Sequence, residues 1–116
     1  MGRPRTPRHI ESAPRCETFV PAGVPRTRLN VVTMTLDEFE ALKLADVEGL
    51  YQEEAALRMN VSRPTFTRIT RSARAKVARA LWRGSAIRMR GGSVIMMKKS
   101  PPKRRTSRLT MLERFS

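Results

Sequence analysis

The sequence predicts a mainly α protein: a three-helix helix-turn-helix core, a short C-terminal β-hairpin and flexible basic termini. Three observations lead there. TLDE at 35–38 is a helix-opening signature followed by apolar residues at helical spacing. QEEAALRMNVSRPTFTRI at 52–69 holds two helix-like pieces around a polar break. After Gly84 the apolar period changes from helical to alternating.

Taken in order, residues 1–16 hold four Arg, three Pro and few large apolar groups, and read as a flexible basic arm. The domain is expected over 17–97. It opens with ETFVPAGVP (17–25), a short apolar run with turns, and NVVTM (30–34), a short strand. In TLDE the Glu38 carboxylate can reach back to the Thr35 amide, and Asp37, Glu38 and Glu40 suit the positive end of the helix dipole. The first helix is expected over 36–47, with Leu36, Phe39, Leu42 and Ala45 on one face and Gly49 beyond its end. A second helix, 52–59, lacks a good cap because Tyr51 stands where Ser or Thr would serve. The third starts after Ser62, a good cap, with Pro64 in the first turn, and runs to Trp82 or Arg83 before Gly84. Phe66, Ile69, Ala73, Val77, Ala80 and Leu81 step along its apolar face. Gly91-Gly92 suits a two-residue hairpin turn, pairing Met89 with Val94 and Ile87 with Met96. Residues 98–116 read as a basic, disordered tail.

The 116 residues carry 24 Lys+Arg against 10 Asp+Glu, a net charge of +14. Residues 1–30 carry 6 basic and 2 acidic side chains, residues 31–62 carry 2 and 7, and residues 63–116 carry 16 and 1. A solubilising surface mixes signs. A one-signed block that begins at Arg63, where the third helix begins, points to a polyanion instead. One cysteine, Cys16, and one histidine, His9, allow no disulfide within the chain and fall short of a zinc ligand set, so neither metal nor cofactor is expected. The N-terminus lacks the apolar core of a secretory signal, and no run approaches the ~18 apolar residues of a spanning helix. A cytoplasmic setting is expected. No nucleophile–base pair or phosphate-binding glycine loop is visible, and an enzyme is not expected.

The helix-turn-helix reading rests on spacing. Ala56 is the small residue where two helices cross closely, and Asn60, four positions later, tolerates positive φ. Val61 follows the turn, and Phe66 and Ile69 complete the small core. The bland alternative is a helical corner without nucleic acid.

The block TLDEFEALKLADVEGLYQEEAALRMNVSRPTFTRI resembles region 4 of bacterial sigma factors. More closely, it resembles a family of small, largely uncharacterised prokaryotic proteins predicted to bind DNA. RPR near the start, FVPAGVP and the RMRGGS turn share in the resemblance, which covers about residues 3–93. It implies a three-helix core with a sigma-like helix-turn-helix and a DNA-binding role. Tyr51 and Asn60 depart from the usual small hydroxyl residue and Gly, and the chain leaves the pattern after about Val94.

The expected function is therefore DNA binding and transcriptional regulation, with helix 63–82 in the major groove. Arg63, Thr67, Arg68 and Arg71 are candidates for base edges, each Arg having phosphate as its alternative target. Ser62, Thr65 and Arg74 are candidates for phosphate, as is Gln52 at the start of the preceding helix. Ser62 reads equally as a pure cap, and Arg74 and Lys76 read first as a solvated helix face. Arg3, Pro4 and Arg5 form a GRP-R stretch that resembles an AT-hook core, suited to an A·T-rich minor groove. Two alternatives stay open. One is RNA. The other is a transcription-machinery subunit facing the acidic segment 36–54. A homodimer would extend the few base pairs one such motif reads, although no dimer seam is visible.

Overall fold

The computed structural model describes residues 6–97. Among these, the elements run β1 (Arg8–Ile10), β2 (Thr18–Phe19), β3 (Val31–Met34), α1 (Leu36–Leu42), α2 (Gln52–Met59), α3 (Arg63–Arg83), β4 (Ala86–Met89) and β5 (Val94–Met96). A 3-10 turn at Arg26–Arg28 precedes β3, and α1 continues into a π-helical turn at Lys43–Val47.

The helices form where local signals place them. Glu38 Oε1 accepts the Thr35 amide at 2.9 Å and closes the capping box of α1. The α2 helix ends on Asn60, whose φ of 58° is left-handed. Its amide donates to the Leu57 carbonyl, and the Val61 amide donates to that of Ala56. This reciprocal pair satisfies two otherwise orphaned carbonyls. Ser62 Oγ accepts the Thr65 amide at 3.3 Å to start α3, and Gly84, with φ of 66°, ends it.

The predicted mainly α architecture is overturned. The chain forms an α/β domain in which two small sheets accompany the helices. One sheet has the order β2-β4-β3, with β2 antiparallel and β3 parallel to β4. The other pairs β1 with β5 in parallel. The expected C-terminal hairpin does not form, and the reason lies in strand edges. β4 is a central strand, so both of its edges are occupied and β5 has nowhere to pair with it. The Gly91-Gly92 turn does adopt positive φ, 80° and 94°. It turns the chain onto α1 instead, where the Gly91 carbonyl accepts the Leu36 amide at 3.0 Å. Free of β4, β5 takes up residues expected to be a flexible arm, and Ile10 of β1 is 2% exposed. Val94 and Met96 therefore do not share a half-buried hairpin face with Ile87 and Met89, and Met96 is exposed.

The core has two adjoining parts. Ala41, Leu44, Ala55, Ala56, Met59, Phe66 and Ile69 pack α1, α2 and the start of α3 together, with Val61 against them. Met34, Ala73 and Met89 join the middle of α3 to the three-stranded sheet. Leu81, expected on the buried face of α3, is exposed; the core ends at Ala80. Among the described residues, no helix is long and apolar enough to cross a membrane.

Candidate nucleic-acid interface

The buried stripe of α3 consists of Phe66, Ile69, Thr70, Ala73 and Ala80. That choice dictates where its polar side chains go. Arg63, Thr67 and Arg74 flank the stripe on one side; Thr65, Ser72 and Lys76 flank it on the other. Arg68, Arg71 and Arg79 fall on the opposite, solvent face, at helical spacing.

The first flank faces α2 and the π-helical turn, and its groups are tied to the protein. Gln52 Oε1 accepts from Arg63 Nε at 3.3 Å and Thr67 Oγ1 at 3.0 Å. Arg63 also pairs with Glu53 at 3.4 Å, both side chains being exposed. Arg74 donates twice to Asp46, at 2.9 and 2.7 Å. The Arg74 hydrogen bonds hold the Asp46 carboxyl below its ordinary range.

The second flank borders a groove of about 540 Å³ whose walls include Thr6, Arg8, Thr35, Ser62, Thr65 and Ser93. Its floor is acidic but already compensated. Asp37 accepts from Arg8, and Glu38 accepts from Lys76 at 2.7 Å and from Ser72 at 2.5 Å. Burial pushes the Glu38 carboxyl up, but Lys76, Ser72 and the Thr35 amide outweigh it and hold it below the ordinary value. Gly92 is required where it stands: a Cβ there would lie 2.8 Å from Asp37 Oδ1, at a φ of 94°. Nearby, Glu40 has its carboxyl raised by burial, against the opposing pull of Lys43.

The outer face differs. Arg71 and Arg79 are exposed and make no ion pair or side-chain hydrogen bond among the described residues, nor does Arg83 at the helix end. Arg68 is exposed and, among the described residues, donates only to the Thr65 hydroxyl, at 3.2 Å. A stripe of guanidinium groups without an acidic partner among the described residues is thus presented on one face of a 21-residue helix.

The fold therefore brings the sequence candidates into four settings. Gln52, Arg63 and Thr67 form one hydrogen-bonded group. Ser62, Thr65 and Arg68 form a second, in which Ser62 acts as the cap. Arg71 has no ion pair or side-chain hydrogen bond among the described residues, while Arg74 is committed to Asp46. The five spacing residues are also placed: Ala56, Phe66 and Ile69 are buried, Val61 packs on them, and Asn60 makes the left-handed turn. Arg3, Pro4, Arg5 and the basic tail lie outside the described residues. The sequence reading missed Arg79. Its signal was present, since it follows Arg68 by eleven residues, or three helical turns. The acidic segment 36–54 is not one exposed surface either, because Asp37, Glu38 and Glu40 are buried.

Fold and site together define a small, strongly basic α/β protein that presents a cation-striped helix. The chain belongs to the family described as "Protein of unknown function DUF134", whose model matches residues 1–97. A UPF0251 protein of Desulforudis audaxviator is 53% identical over 93 residues, covering 80% of this chain and 61% of its own length. A UPF0251 protein of Methanosarcina acetivorans is 48% identical over 99 residues, covering 85% of this chain and 88% of its own. The chain thus spans about three fifths of the Desulforudis relative and most of the Methanosarcina one. No solved structure matches it.

Proposed function

We propose that the α2–α3 corner reads double-stranded DNA, with the N-terminal part of α3 entering the major groove, as the resemblance to sigma-factor region 4 implies, and that the protein regulates transcription in the cytoplasm. The observation that carries this reading is the division of charge on α3. Cations on its flanks are compensated by Glu38, Asp46 and Glu53, whereas Arg68, Arg71 and Arg79 on the outer face have no acidic partner among the described residues. A solvated helix face would not need that separation, but a phosphate-and-base surface does. The Gln52–Arg63–Thr67 group holds the start of α2 against the start of α3. It presets the corner that would lie across the backbone. The burial of Asp37, Glu38 and Glu40 leaves only the later acidic residues of segment 36–54 outside the core, which supports DNA over a protein partner on that segment.

The test is a fluorescence-anisotropy titration against genomic duplex fragments, a structured RNA and poly(dA·dT) over a salt series. Wild type is expected to bind a subset of duplexes at moderate salt. Arg68→Ala/Arg71→Ala is expected to lose about 10- to 100-fold in affinity and to shallow the salt slope. Equal binding to every polyanion, unchanged in the double variant, would sink the reading. Tighter binding to the RNA would favour RNA as the partner.

A further inference from the structure

The charge-bearing stripe of α3 does not end at Arg79. Positions 64, 68, 71, 75, 79 and 82 recur at helical spacing, and the last of them is Trp82, which is 86% exposed. Arg79 and Arg83 flank it, both without an ion pair or side-chain hydrogen bond among the described residues. Trp82 lies fourteen residues, about 21 Å, beyond Arg68 along the helix axis. A recognition helix reads bases with its N-terminal part, so Trp82 lies beyond the segment that enters the groove.

The surrounding charge limits what covers the ring. A second copy seated on this end would bring two sets of unpaired arginines together, at a cost in like-charge repulsion. A polyanion suits them. An indole presents a π-face that stacks on any nucleobase, and flanking guanidinium groups add phosphate and cation–π contacts. Bases inside an intact duplex do not expose their faces; unpaired bases do.

We infer that the C-terminal end of α3 is a stacking site for unpaired bases, so that the protein prefers duplex adjoining a single-stranded segment over blunt duplex. This rests on the reading of α3 as a nucleic-acid-binding helix. Arg68 and Arg71 hold the duplex, Trp82 stacks on the first unpaired base, and Arg79 and Arg83 follow its backbone.

Trp82 is the chain's single tryptophan, so its emission reports on this site alone. The experiment compares a blunt duplex, the same duplex with a single-stranded overhang of thymidines or uridines, and the free overhang strand. Labelled-strand anisotropy supplies affinity, and indole emission supplies contact. The expected result is a quench with the overhang but not with the blunt duplex, and tighter binding of the overhang by about 5- to 100-fold. Trp82→Ala is expected to abolish that preference and leave blunt-duplex affinity unchanged, and Trp82→Phe to restore part of it. Equal affinity for both duplexes with unquenched emission would overturn the stacking site and leave the duplex reading standing. Failure to bind any form would overturn both. A quench that grows with protein concentration in the absence of nucleic acid would overturn the site in favour of self-association.

Discussion

The start of α1 and the outer face of α3 are both dense in charge, and they use it in opposite ways. Around α1, Asp37, Glu38 and Glu40 are buried, and Arg8, Lys76 and Lys43 close over them. Nearby, Arg58 of α2 bridges Glu11 and Glu48, holding β1 to the helices. On the outer face of α3, Arg71 and Arg79 make no ion pair or side-chain hydrogen bond among the described residues. The first arrangement spends charge on the fold, because each buried carboxylate needs a cation to offset its desolvation. The second keeps charge in water at little cost to stability. A residue count cannot separate the two, since arginine supplies both.

The contrast can be broken most sharply at Arg58. Arg58→Ala leaves Glu11, whose side chain is 5% exposed, without this cation. Stability is expected to fall by about 3 kcal/mol in urea denaturation, whereas Arg71→Ala should stay within about 0.5 kcal/mol of wild type. Similar losses in both variants would show that the division into structural and free charge is wrong.

Acid sharpens the same comparison. The Glu38 carboxyl titrates below its ordinary value of 4.5 in the folded protein. Its contribution to stability is complete above that value and is lost as pH falls through the folded one. Glu40 is raised and works the other way: its contribution is present at low pH and is lost as pH rises through its folded value. Glu38→Gln should therefore flatten the acid limb of the stability–pH curve measured below pH 4.5. An acid limb identical to wild type would remove Glu38 from the structural set.

The smallest effect is expected at Arg74. Its pair with Asp46 is exposed on both sides, 57% and 43%. Arg74→Ala should shift stability by no more than about 0.5 kcal/mol. It should also leave duplex affinity within about twofold, because a contact to one phosphate must first release Asp46. A loss as large as that of Arg71→Ala would place Arg74 with the free cations.

These pairings explain what could be read in advance. The three helices were legible because their start and stop signals are local: TLDE, Ser62 with Pro64, Asn60 and Gly84 act within a few residues. The strands were not. They are two to four residues long, and their partners are set by which edges remain open. Gly91-Gly92 carried a hairpin signal that was locally correct, since both residues have positive φ, and globally overruled, since β3 and β2 fill both edges of β4. Candidate site residues on α3 could be placed on a wheel. Their commitments could not, because Arg74 meets Asp46 across 28 positions and Lys76 meets Glu38 across 38.

The pairing of β1 with β5 also bears on how the chain is made. Arg8 lies beside Val94, and Ile10 beside Met96. A ribosome delivers β5 more than eighty residues after β1, so β1 is made long before the strand that covers its edge. The β1–β5 sheet is a clasp that can shut only after every other described element has been made. A chain stalled before Val94 would hold its α2–α3 corner with β1 still without its strand partner.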